Sequence, residues 1–465
     1  LNNIISRGDS MRQKRNRQRT IFEVLGKNPG PKEFEQMALV LESNPEILDL
    51  AFSDLTKGRR SDTGREGMTA EQVLRCAIVK QSRELTYNDL EFLLADSYSL
   101  RSFAKLRQDQ FPSTSTLQSN IKSLREETWI AIHQFIISYA DEEKLEKGRK
   151  LRMDSTVVET DIHAPSDSTL LWDGVRVITR WLFEGKEFSP QPAYRFSDHR
   201  RVMKKRLLKI QNTRSKTVRE SAYWDMLEYA YRVCTYGKEA AEELYEYKGD
   251  KDPFDMFRAR DLADRIARAV ILLNKVIDQT NRRVLKNEKV PASEKVVSLF
   301  ETHTDIIVKS RRDTEYGHKI FVVGGESNLI IDCLIERGNP ADSECFKKLL
   351  DRQYQYYGRA PRQTTADGGF ASKANVEYAK GCRVKDVVFS KKRGIEVKDM
   401  ARSDWVYRRL KNFRAGIEAT ISTLKRSYGL NRCTWKGWEG FKQYVWSAIV
   451  SYNLQVIARM KLASA

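Results

Sequence analysis

Leu151-Arg152-Met153-Asp154-Ser155-Thr156-Val157-Val158 marks a change in the character of the chain. Apolar and polar residues alternate along it and it ends in a β-branched run, the pattern of a half-buried strand, with an aspartate at its centre. Before it, residues 31–145 carry helical periodicity. After it comes a long, heavily charged helical stretch from about Leu170 to Leu299. Strand patterns return at Lys319–Val323 and Asn328–Ile335, which flank Gly324-Gly325-Glu326-Ser327 as a hairpin with a four-residue turn. Asn339-Pro340-Ala341-Asp342 opens a helix that reaches about Tyr357. Gln363–Asp367 is a short strand ending at Gly368-Gly369. Ser372 caps a helix closed by Gly381, Val387-Val388-Phe389 is a further strand, and a long helix runs from about Ser403 to Tyr428.

With the charged helical stretch set aside, the order is strand, strand, strand, helix, strand, helix, strand, helix, which is the order of an RNase H-like domain. The expected class is therefore α/β: an RNase H-like catalytic core with a mixed five-stranded sheet over residues 146–430. A large, basic helical insertion at about 163–302 separates its first two strands. A helical N-terminal module occupies 31–145, a basic flexible arm 1–30 and a C-terminal helix 431–465. Within the N-terminal module, Thr69 and Gln72 have the spacing of a capping box. Helices are expected from about Thr86 to Lys105 and from about Ser115 to Lys144. Tyr87–Leu94 followed by Phe111–Leu124 reads either as a helix-turn-helix that contacts DNA or as an ordinary helical hairpin.

The chain has 82 Lys and Arg residues against 63 Asp and Glu, a formal charge of +19, which favours a polyanionic partner. The surplus is uneven. Arg195 to Arg219 holds ten basic residues and one acid, Asp198. Arg200, Arg201, Lys204, Lys205, Arg206 and Lys209 are the candidate contacts to DNA phosphates, a kind of contact that positions DNA without reading its sequence. A composition that is 40% hydrophobic and 31% charged is that of a globular chain. No apolar run approaches the roughly 18 residues of a membrane span, and the N-terminus lacks the order of a secretory signal. The six cysteines are scattered without C-x-x-C spacing, so no zinc site is expected. The expected location is cytoplasmic, with no membrane partner.

Three acids fall where this element order gathers a catalytic cluster: Asp154 in the first strand, Asp367 at the end of the fourth, and Glu418 midway along the last long helix. Phosphodiester chemistry wants such a set, because attacking and leaving oxygens both carry negative charge and a pair of divalent cations stabilises both. Mg²⁺ takes oxygen ligands and needs few of them from the protein. Each acid also has an ordinary reading. An aspartate at a strand end forms turns, and Glu159 and Asp161 compete with Asp154 as ligands. Gly368-Gly369 serves either as a turn or as room for a DNA backbone. On the last helix, Leu410, Phe413, Ile417, Ile421 and Leu424 make one apolar stripe, and Arg414, Glu418 and Lys425 line its border within about 40° of one another. That trio suits a carboxylate beside a phosphate, or else a solvated i,i+4 pair.

Arg414-x3-Glu418-x6-Lys425 resembles the R-E-K part of the Y-R-E-K signature of bacterial insertion-sequence DDE transposases. The signature's tyrosine position holds Lys411, and Tyr407 lies one turn earlier. Met153-Asp154-Ser155-Thr156-Val157-Val158-Glu159-Thr160, continuing to Leu171-Trp172-Asp173-Gly174, resembles the first-aspartate region of the ISNCY group. Thr365-Ala366-Asp367-Gly368-Gly369-Phe370 resembles the second-aspartate motif, and Gly429-Leu430-Asn431-Arg432 with Trp435-Lys436-Gly437 the basic stretch beyond the glutamate helix. The resemblance implies that Asp154, Asp367 and Glu418 ligate two Mg²⁺ or Mn²⁺ ions. It implies that Arg414 and Lys425 contact transposon-end DNA or position the glutamate. It further implies cleavage at element ends followed by 3′-hydroxyl strand transfer into target DNA, by a homodimer or larger assembly associated with the bacterial nucleoid. Two rival readings remain: an RNase H-like nuclease or resolvase that cuts without joining, and a catalytically silent DNA-binding protein derived from a transposase. Trp405, Trp435, Trp438 and Trp446 lie near basic residues and are candidates for base stacking or for the core.

Overall fold

A computed structural model describes residues 32–58, 67–188, 191–248, 253–308 and 314–464. The basic arm expected over residues 1–30 lies outside the described residues. The chain divides into two compact units: one joins the residues up to Asp161 with those from Ile307 onward, and the other is Ile162–Ile306.

The first unit is built on a mixed sheet. Its central strand β1 (Lys150–Glu159) precedes, in chain order, β2 (Asp305–Val308), β3 (Thr314–Gly324), β4 (Ile330–Ile335), β5 (Gln363–Ala366) and β6 (Asp386–Phe389). The strand order is β2-β3-β1-β5-β6, with β4 also paired to β3. β1 and β4 are antiparallel to β3, while β5 is parallel to both β1 and β6. The expected mixed sheet is present, but with six strands rather than five. The addition is β2, which lies between the charged helical stretch ending near Leu299 and the strand pattern that returns at Lys319.

Alternation along the strands buries both faces. On one, Leu151, Met153, Phe321 and Val323 share a core with Phe346 and Leu349 of the helix Asp342–Tyr357 and Val376 of the helix Lys373–Gly381. On the other, Val158, Ile320, Val322 and Ile330 join the core of the N-terminal helices and the last helix, Gly437–Ser464. That last helix is apolar on nearly every side, as a helix buried all round must be. Its Asn453 accepts from the Ile330 N–H at 2.9 Å and donates to the Ile330 carbonyl at 2.7 Å, so it is hydrogen-bonded to the backbone at the start of β4.

The N-terminal helices start where their caps dictate. Thr69 accepts from the Gln72 N–H at 3.2 Å and its own N–H donates to the Gln72 side chain at 3.0 Å, a complete capping box. The single helix expected over Thr86–Lys105 is instead two, Tyr87–Asp96 and Tyr98–Phe103, because Ser97 turns extended and caps the second through the Leu100 N–H. A third helix therefore separates the two segments of the candidate helix-turn-helix. The helix expected over Ser115–Lys144 is likewise broken, into Thr114–Ile121 and Glu126–Glu142, at an extended Arg125 whose N–H donates to Asp54 at 2.8 Å.

The second unit is helical: Asp167–Gly185, Arg200–Asn212, Lys216–Glu246 and Pro253–Thr280 enclose a core of their own around Ile178, Met226 and Ile266. No helix among the described residues is long and apolar enough to cross a membrane.

Candidate active site

Strand register brings the two aspartates together. β1 and β5 run in parallel from Lys150 beside Gln363 to Met153 beside Ala366. The next residue on each is Asp154 and Asp367, about 4.8 Å apart as strand neighbours. Asp367 lies just beyond the carboxyl end of β5, and Asp154 lies midway along β1, just past the segment paired with β5.

The third acid comes from the long helix Asp404–Ser427, which packs across β1, β5 and β6. Its start, with Val406 and Leu410, is buried in one core of the unit, and its end, with Ile417 and Leu424, in the other. Arg414 and Glu418 lie between these anchors. The Arg414 guanidinium reaches all three acids: Nη1 stands 3.2 Å from Asp154 Oδ2 and 3.5 Å from Asp367 Oδ1, and Nη2 stands 2.5 Å from Glu418 Oε1. Asp154 and Arg414 are largely buried, with side chains 16% and 14% exposed, whereas Glu418 is 58% exposed.

Burial and charge drive the two aspartates apart in acidity. Desolvation raises Asp154 to about 6, with repulsion from Asp367 and Glu418 adding to it against the Ser155 N–H and Arg414. Burial also pushes Asp367 upward, but the Ser390 hydroxyl at 2.7 Å, the Gly368 and Gly369 N–H groups and Arg414 outweigh it, and Asp367 ends below the ordinary carboxylate value.

A second polar group adjoins the first. Ser155 Oγ donates to both Asp342 oxygens at 3.3 Å, and Lys319 Nζ stands 2.7 Å from Asp342 Oδ1. Gly368-Gly369 is tight rather than roomy. A Cβ on Gly368 would meet Lys391 Cβ at 2.8 Å and one on Gly369 would meet Asp342 Oδ2 at 2.3 Å, so these glycines admit protein side chains where DNA was one expectation. Sequence reasoning did not single out Ser390 or the Lys319–Asp342–Ser155 group, because neither has a spacing signal.

Other candidates lie elsewhere. Lys425 sits two turns beyond Glu418, about 10 Å along the helix axis. Tyr407 is buried in the core, so it does not stand in for the missing tyrosine at 411. Asp161 pairs with Arg432 at 3.3 Å, and Glu159 lies five residues along β1 from Asp154, about 17 Å away. Trp435 and Trp446 are core residues, while Trp405 is 65% exposed.

In the helical unit, Arg200–Asn212 buries Met203, Leu207 and Ile210 and turns the opposite face outward. Arg201, Lys204, Lys205 and Lys209 are exposed on that face, without an ion-pair partner among the described residues. Two of the six basic candidates are engaged: Arg200 with Asp198 and Arg206 with Asp225, each at 2.7 Å.

Residues 276–454 match the family model described as a transposase DDE domain. The match spans less than half of the chain and includes Asp367, Arg414 and Glu418 but not Asp154. It supports a transposase function, with DNA as the implied partner and an RNase H-like fold as the implied architecture. No curated protein and no solved structure matches.

Three carboxylates from separate elements offer only hard oxygen donors, which suits Mg²⁺ or Mn²⁺. As they stand, no three His, Cys, Asp or Glu side chains among the described residues are arranged to hold one ion. Here the acids converge on Arg414 rather than on one another. The donor chemistry fits a divalent cation, and ligation requires these side chains to close up or Arg414 to withdraw.

The raised pKa of Asp154 has a consequence for stability. The unfolded chain ionises this group near pH 4 and the folded protein only near 6, so its contribution to stability falls as pH rises between those values. Above pH 6 the cost is about 3 kcal/mol. In EDTA, Asp154→Asn is therefore expected to raise the melting temperature at pH 7.5 and leave it unchanged near pH 4. A calorimetric scan that finds the variant less stable at pH 7.5 contradicts the assignment.

Proposed function

We propose that the chain is an insertion-sequence DDE transposase in which Asp154, Asp367 and Glu418 hold two divalent cations. The observation that carries this reading is the meeting of these three acids on one guanidinium, in a chain with a surplus of basic charge. When bound, the cations supply charge neutralisation for the attacking and leaving oxygens and lower the pKa of a bound water.

The reaction has two displacements at phosphorus. In the first, a water oxygen bonds to the phosphorus at the element's end, the P–O3′ bond breaks, and a 3′-hydroxyl is released. In the second, that 3′-oxygen bonds to a phosphorus of the target strand and expels the target's own 3′-oxygen, which takes up a proton. Asp154 lies deepest and fixes the inner edge of the site, whereas Glu418 is the most exposed of the three. Arg414 orients all three acids and shields them from one another. In this reading it is a positioning residue, and the Lys425 side chain two turns on faces element-end DNA. The exposed basic face of Arg200–Asn212 binds duplex phosphates, and the enzyme works as a dimer or larger assembly on paired ends.

Asp154→Asn, Asp367→Asn and Glu418→Gln are each expected to abolish Mg²⁺-dependent cleavage of a labelled element-end duplex while leaving its binding within a few-fold of wild type. Robust cleavage by any one of them removes that residue from the centre. Pre-nicked ends separate this reading from a nuclease that only cuts: a transposase joins them to target DNA and a nuclease gives no joined product.

Two lysines of the basic face have a separable effect. Lys204→Ala with Lys205→Ala is expected to weaken binding to all duplexes alike and to lower the slope of log affinity against log salt by about 2, at roughly 0.9 per phosphate contact. An unchanged slope places the DNA elsewhere.

A further inference from the structure

The start of the helix that carries Arg414 and Glu418 borders a second feature, which the reaction above does not use. A cleft of about 280 Å³ opens there between the amino ends of β1 and β5 and the first turns of the helix. Arg149, Lys150, Arg362, Arg402 and Arg409 line it, with Trp405, and Glu326 is its one acidic side chain.

Folding alone does not account for this concentration of charge. Lys150 stands 3.4 Å from Glu326 and Arg402 stands 3.6 Å from the buried Asp386. Arg149, Arg362 and Arg409 have no ion-pair partner among the described residues. Cations placed this close repel one another unless an anion joins them. Trp405 is equally hard to explain by packing. It is 65% exposed, as Trp224 is at 63%, whereas Trp129, Trp435 and Trp446 are buried, and the Arg409 guanidinium lies 5.2 Å from its ring centroid. An exposed indole among unpaired guanidiniums is the combination that binds single-stranded nucleic acid, with cations for the phosphates and a flat ring for a base.

We infer that this cleft holds one nucleotide of an unpaired DNA strand, its phosphates against Arg149, Arg362 and Arg409 and its base stacked on Trp405. Taking the polyanion to be DNA rests on the function proposed above; the cleft itself rests on its own residues. Thirteen residues separate Trp405 from Glu418 on one helix, about 20 Å. That distance is about six steps of a stacked strand at 3.4 Å each. The cleft therefore grips DNA at a distance from the scissile bond.

The test is fluorescence anisotropy of a labelled twenty-nucleotide oligo(dT) and of a duplex of equal length, with the full chain in EDTA so that no cutting occurs. Trp405→Ala is expected to weaken oligo(dT) binding at least fivefold and duplex binding less than twofold, and Trp405→Phe to restore most of the loss. Arg362→Gln with Arg409→Gln is expected to lower the salt slope on oligo(dT) by about 1.4, at roughly 0.7 per phosphate. Oligo(dT) affinity within twofold of wild type in Trp405→Ala, or an equal loss on both probes, overturns the inference. If that happens while wild type still cuts element ends, the transposase reading survives without the cleft. If wild type never cuts but Trp405→Ala loses oligo(dT) selectively, the cleft survives without the transposase reading.

Discussion

The Arg414 guanidinium bonds at once to acids from two adjacent strands and from its own helix, and the rest of the site is arranged around that contact. Three carboxylates repel, and burying one of them adds the cost of removing its charge from water. The chain meets that cost with one largely buried cation and with hydrogen bonds to Asp367 from Ser390 and the backbone. Asp154 is the most buried of the three, and its pKa is raised because the loss of water outweighs the Ser155 N–H and Arg414. In the proposed reading, the positive charge of the cations relieves the repulsion among these acids.

The fold supplies this arrangement through register and anchoring. Parallel pairing of β1 with β5 sets Asp154 beside Asp367 with no long side chain needed to bridge them. The helix carrying Arg414 and Glu418 is held in one core at its start and in the other at its end, so its middle has little freedom over Asp154 and Asp367. Both faces of the sheet are buried, one of them by the N-terminal helices and the last helix, which share a core with it. In the proposed reading, basic surfaces outside this centre meet the DNA, leaving the acids to the cations.

The features that were legible in the sequence are those with a local signature. The capping box at Thr69 and the hairpin around Gly324-Gly325 follow from short-range chemistry and appear where their residues stand, and the strand expected over Gln363–Asp367 ends one residue earlier, at Ala366. The stripe on the last long helix placed Arg414 and Glu418 on one border, and they are paired. What escaped was short or non-local. β2 is four residues long and, unlike the equally short β5, has no glycine pair to mark its end, and the break at Ser97 depends on one cap within an otherwise helical pattern. Ser390 joins Asp367 across 23 positions and Asp342 joins Ser155 across 187, separations at which periodicity is silent. Tyr407 pointed the right way by helical angle but lies where the helix is already buried in the core.

The central claim is that Asp154, Asp367 and Glu418 together hold the catalytic cations. Counting bound Mn²⁺ by electron paramagnetic resonance, in the presence of an element-end duplex, tests it without depending on turnover. The account predicts two tightly bound ions per wild-type chain and none in the combined Asp154→Asn, Asp367→Asn, Glu418→Gln variant. An equal count in both proteins would contradict it.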